Sequence, residues 1–134
     1  MRRSLIAAWR GPVLSILRAV AGFTFMAHGL QKTFGLLGGT RLPPASLAGV
    51  GGVLELIGGF LIMIGLLTRP TAFILSGEMC VAYFRFHAPG GLWPVQNRGE
   101  LAILYCFLFF YLVFSGPGPL SLDAVLRRGG AASD

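Results

Sequence analysis

Charge is what this sequence has least of. Charged residues make up 12% of its 134 positions, about half the share usual in soluble domains. Hydrophobic residues make up 54%. That balance places the chain in the membrane class and excludes an ordinary water-solvated core-and-surface domain. Catalytic signatures are absent too. There is no P-loop, G-x-G-x-x-G, G-x-S-x-G or H-E-x-x-H, so soluble-type catalysis has no support. Cysteine is scarce: Cys80 and Cys106 lie in apolar runs without a C-x-x-C. They are expected to be buried structural thiols. No H-x-x-x-H or E-x-x-H spacing surrounds His28 or His87, so no metal is expected.

The net charge of +6 would suggest nucleic acid in a soluble protein. Here most arginines flank apolar segments, and topology explains them better, so no nucleic-acid partner is expected. The start, "MRRSLIAAWRGP", is read as an uncleaved amphipathic lead-in over 1–12, because Arg10 and Arg18 interrupt the apolar run and no small-residue cleavage site follows.

Four apolar stretches have the length a bilayer requires. They cover about 13–31, 45–67, 70–88 and 99–115. Gly- and Pro-rich segments punctuate them: "GGTRLPP" at 38–44, a tight turn at "TRP", "PGGLWPVQNR" at 89–98 and "SGPGP" at 115–119. The reading is an all-α integral membrane four-helix bundle over 13–124, with a tail at 125–134. One side carries Arg2, Arg3, Arg10, Arg69, Arg127 and Arg128. The other carries Lys32, Arg41, Arg98 and Arg85. Positive-inside then puts both termini in the cytoplasm.

The second stretch, "GGVLELIGGFLIMIGLLTR", combines glycines at seven-residue spacing (51, 58, 65 and 52, 59) with Glu55. Such glycines let a neighbouring backbone approach closely. A carboxylate in hydrocarbon costs at least about 2.5–3.5 kcal/mol unless paired, so Glu55 is expected to face protein. At 1.5 Å per residue, Arg18 and Glu78 fall about 8 and 12 Å from the same end of the bundle, which makes them an expected ion pair. His28, Lys32, Glu55, Arg85, His87, Asn97, Arg98 and Glu100 gather toward the other end. They suggest a polar intramembrane pocket; the plainer alternative is a set of ion pairs locking the helices. Glu100 also suits the start of its helix. Phe107, Phe109, Phe110 and Phe114 are read as lipid contact or core packing, with a flat apolar ligand such as a quinone as the alternative.

Together these residues resemble the DoxX family of small four-helix membrane proteins. The matching features are Arg18, Gly22, Phe25, His28, Gly29 and Lys32, then Gly51, Glu55, Gly58, Gly59, Leu61, Gly65, Leu66, Thr68 and Arg69. Met79, Ala82, "NRGE" at 97–100, Tyr105 and "GPGPLSLD" at 116–123 continue the series, so the resemblance covers about 13–124. It implies a multi-pass protein of the bacterial or archaeal inner membrane. It also implies association with oxidoreductase systems, among them thiosulfate:quinone oxidoreductases and thiol-linked complexes. The cysteines here form no redox motif, which departs from an autonomous thiol–disulfide role. The expected function is an accessory component or subunit of a quinone- or thiol-linked redox system, in the bilayer and within a larger complex or homo-oligomer. A small-solute carrier or channel and a purely structural subunit are the rivals. No cofactor is evident from the residues themselves beyond the quinone alternative.

Overall fold

The computed structural model describes residues 5–130, and every described element is helical. Helix α1 spans Leu5–Phe34, α2 Leu47–Ile64 and α3 Thr68–Ala82. A π-helical turn, Tyr83–His87, and a 3-10 turn, Ala88–Gly90, extend α3. The short α4 (Pro94–Asn97) precedes α5 (Glu100–Ser115), and α6 (Leu122–Gly130) follows. Helices α1 and α2 are long and apolar enough to cross a membrane; α5 is a shorter apolar helix of 16 residues.

The expected lead-in and first span form one helix of 30 residues with Pro12 inside it. Arg2 and Arg3 of the orientation argument, and the tail beyond residue 130, lie outside the described residues. The second turn is also displaced from the expected "TRP". Gly65 ends α2 in the left-handed region, at φ 71°. The amides of Gly65 and Leu66 both donate to the Leu61 carbonyl, a Schellman-type stop. Leu67 takes φ 49°, and Thr68 already begins α3. Pro70 therefore falls within the first turn of α3, where its missing N–H leaves no bond unmade.

The glycines set the packing. Helix α1 lies along α2, and α3 lies along α5. A Cβ at Gly59 would stand 2.6 Å from the Met26 amide nitrogen, and one at Gly22 or Gly29 would collide with α2 backbone. Gly22 and Gly29 thus oppose Gly59 and Gly52, seven residues apart on each helix. Such a repeat keeps one face on its neighbour over two turns. The other stripe serves α3: a Cβ at Gly58 would stand 2.7 Å from Leu75 Cδ2. Phe25, Ile62, Leu75, Phe109 and Leu112 form the solid centre of the bundle. Phe25 of α1 meets Phe109 of α5 edge-on, with ring centres 4.8 Å apart. Outward faces carry exposed Phe23, Phe60, Phe73 and Phe107, the inverse of a water-soluble protein and suited to hydrocarbon.

The end containing the α2–α3 turn is tied by polar groups. Buried Arg18 donates through Nε to Pro117 O at 2.8 Å, through Nη1 to Met63 O at 2.7 Å and to Ile62 O, and through Nη2 to Leu120 O at 2.7 Å. Asp123 accepts from the Leu67 and Thr68 amides at 2.8 and 3.0 Å. Arg69 donates to Val113 O and Phe114 O at the end of α5. Cations thus cover helix C-terminal carbonyls and a carboxylate covers an N-terminus, each on the side its charge favours.

Candidate functional site

At the opposite end, the four longer helices diverge around a cavity of about 490 Å³. Its floor is aromatic. Phe25 and Tyr105 lie with ring centres 4.9 Å apart, and Tyr105 OH lies 2.6 Å from Thr24 Oγ1. Its wall is acidic. Lys32 Nζ donates to Glu55 Oε1 at 2.6 Å, the one salt bridge among the described residues. Glu55 is 2% exposed. Its second oxygen, Oε2, is buried without a hydrogen-bond partner, and so is Oε2 of Glu78. Glu78 reaches from α3 toward α2, where a Cβ at Gly51 would stand 3.1 Å from its Oε1. Two carboxylates therefore share the cavity with one lysine. Bare buried carboxylate oxygens are costly, which makes Glu55 and Glu78 the least satisfied polar groups in the cavity lining.

Of the residues that the sequence gathers at this end, His28, Lys32, Glu55, His87 and Arg98 line the cavity. Arg85, Asn97 and Glu100 do not belong to its lining. Arg85 and Glu100 are exposed, because the π turn carries Arg85 outward and Glu100 begins α5 at its surface. Asn97 instead braces the loop. Its Nδ2 donates to Gly91 O at 2.6 Å and to Tyr83 OH at 3.3 Å, and its Oδ1 accepts from the Gly99 amide at 2.7 Å. The Asn97 carbonyl also lies 3.1 Å from His87 Nδ1, so Asn97 positions a lining residue.

The expected Arg18–Glu78 pair does not form. Arg18 spends its donors on four carbonyls at the tied end, whereas Glu78 belongs to the cavity. A depth argument places residues along the bundle axis but not around it, and this pair fails around it. The thiols also differ from expectation: Cys80 is exposed, Cys106 is half-buried, and both are free. Cys80 lies on the outward face of α3.

Sequence reasoning missed Glu78 and Tyr105 as cavity residues. The signal for Glu78 was Gly51, the uppermost of the 51/58/65 stripe, which leaves room beside it for a neighbouring side chain. At the tied end, burial works to raise the Asp123 carboxyl. The hydrogen bonds from Thr68 and Leu67, with the Arg127 charge, outweigh it and hold the carboxyl below its ordinary value.

The DoxX family profile matches residues 13–88. An uncharacterized protein of Haemophilus influenzae is 42% identical, covering 86% of this chain and 91% of that one. An uncharacterized membrane protein of Mycobacterium tuberculosis is 31% identical, over 96% of this chain and 90% of its own. A Bacillus subtilis protein, CatD, provisionally described as an oxidoreductase, is 29% identical over 85% and 87% respectively. No solved structure matches the chain.

Proposed function

The chain belongs to the DoxX family of membrane proteins, and on that premise we propose that it is a quinone-binding accessory subunit of a membrane redox system. The observation that carries this reading is the cavity. It pairs an aromatic floor of Phe25 and Tyr105 with a wall where Lys32, Glu55 and Glu78 converge. A quinone head asks for that combination: flat contact for the ring and hydrogen-bonding groups for its carbonyl oxygens. Lys32, with a third of its side chain open, is the donor to a carbonyl. A bound quinone would supply two-electron, two-proton chemistry with a partner oxidoreductase as electron donor, and the carboxyls of Glu55 and Glu78 would be the groups placed to pass its protons. The redox description of CatD supports this setting.

In this reading α1, α2, α3 and α5 all cross the bacterial inner membrane. Both termini lie in the cytoplasm, as the arginines near the tied end favour. The experiment is native mass spectrometry on protein extracted gently from its own membrane. A retained quinone, lost in Lys32→Met/Glu55→Gln while the fold persists, is the expected result. Retention of a partner protein and no small molecule would overturn the quinone site and leave a structural subunit. Solute flux into proteoliposomes without quinone retention would overturn it in favour of a carrier.

A further inference from the structure

The cavity is open sideways as well as at its mouth. Helix α1 packs closely on α2, and α3 on α5, but α2 and α3 meet far less extensively. Val50 and Leu54 on α2, and Ile74, Gly77 and Val81 on α3, follow the three-to-four-residue spacing of a single helix face. These five residues line the cavity. Yet Val50 is 48% exposed, Ile74 54% and Val81 49%. A side chain that both lines a chamber and stands open to the outside marks a gap in the chamber wall.

The glycines agree. Along the α1–α2 contact, each glycine's missing side chain is filled by the opposing helix. At Gly77 a Cβ would meet nothing within 4 Å, and at Gly51 it would meet only Glu78 Oε1. The room beside Gly77 is left unfilled, and beside Gly51 a single side chain, Glu78, takes the place that a helix takes along α1. The rim of the gap is aliphatic, whereas the mouth carries Lys32 and Arg98. A water-soluble solute has its route at the mouth. A hydrocarbon chain crosses the rim from lipid without giving up hydration.

We propose that the α2–α3 gap is a lateral portal, seating the hydrocarbon tail of a membrane-dissolved amphiphile whose polar head lies at Lys32–Glu55. Only the identity of the head rests on the quinone reading; the portal follows from the shape and apolarity of the gap. Glu78, reaching across to Gly51, stands where tail gives way to head, so the portal admits ligands with the polar group at one end.

The test uses the full chain in nanodiscs containing a phospholipid with a diazirine on its acyl chain. After illumination, adducts are mapped by mass spectrometry. Adducts on Leu54, Val81 and Tyr105 are expected, besides those on outward Phe60 and Phe107. Gly77→Trp should abolish the Tyr105 adduct and spare the outward ones, while Gly77→Ala keeps all of them. Val81→Phe should weaken the Tyr105 adduct as well, without disturbing a glycine. Adducts confined to Phe60 and Phe107 in the unmodified chain would overturn the portal. So would a Tyr105 adduct that survives both Gly77→Trp and Val81→Phe. Adding ubiquinone with a short isoprenoid tail separates the two readings. Displacement of the Tyr105 adduct supports both, whereas a Tyr105 adduct that ubiquinone does not displace keeps the portal and rejects the quinone.

Discussion

Lys32 and Glu55 meet through a single 2.6 Å contact that uses one carboxylate oxygen and leaves the other buried without a partner. The pair is thus half-satisfied by the protein itself. Lys32→Met alone should strand a buried carboxylate and destabilise the fold by on the order of 2 kcal/mol, between the values for exposed and buried pairs. Adding Glu55→Gln should restore most of the loss. Thermal melting of the detergent-solubilised single and double variants decides it, and an equal melting temperature for all three would remove the pair from the stability account.

Arg18 gives a sharper test because sequence and structure disagree about it. Pairing with Glu78 predicts that Glu78→Gln rescues Arg18→Met. The carbonyl fan predicts no rescue, since Ile62, Met63, Pro117 and Leu120 still lose their donor. Each buried carbonyl left bare costs about 1–3 kcal/mol, so Arg18→Met should not yield folded protein. Arg18→Lys should fail too, because a point-like ammonium does not reproduce the planar spread of donors. Size-exclusion profiles of fluorescent fusions report the outcome.

Glycine substitutions should split by position. Gly59→Ala drives a methyl into the Met26 backbone and should cost at least the 1–3 kcal/mol or so typical of overpacking. Gly77→Ala enters open space and should leave the melting temperature unchanged or slightly raised. Similar losses at both sites would contradict the interlocked α1–α2 contact.

Asp123 should make stability depend on acid. Its carboxyl lies below the ordinary value in the folded chain, so the unfolded chain takes up its proton first as pH falls. The contribution is complete above the usual carboxylate range and fades as pH drops through the folded value. Asp123→Ala should lower the melting temperature at neutral pH, by the equivalent of about 0.5–2 kcal/mol for a lost cap, and flatten its acid limb. Melting curves across pH for the two proteins check both features.

How much of this was legible in the sequence depended on which coordinate a residue's role required. Positions along the bundle axis were readable from segment length, which is why His28, Lys32, Glu55, His87 and Arg98 were placed at one end together. Positions around a helix were not. Arg85 and Glu100 share that end yet face outward, and the π turn at Tyr83–His87 shifts the register at which Arg85 projects. Gly52 and Gly59 were visible as a seven-residue pair, but their partners on α1, Gly22 and Gly29, emerge only once the two helices are set side by side. "GPGPLSLD" was recognisable as a signature. Its work, presenting carbonyls to Arg18 and Asp123 to the start of α3, requires contacts across 55 to 102 residues that no local pattern encodes.

The tied end has a mechanical consequence. Arg18, Arg69 and Asp123 fasten the helices together at one extremity, and the polar chamber occupies the other. A bundle clamped at one end behaves as a clothes-peg. Any small rotation of the α1–α2 pair against the α3–α5 pair grows with distance from the clamp. Lys32 lies about 20 Å along α1 from Arg18, at 1.5 Å per residue. Such a rotation would part α2 and α3 most at the chamber end of their contact, from Gly77 outward, so the jaws would work where the chamber opens while the spring stays shut.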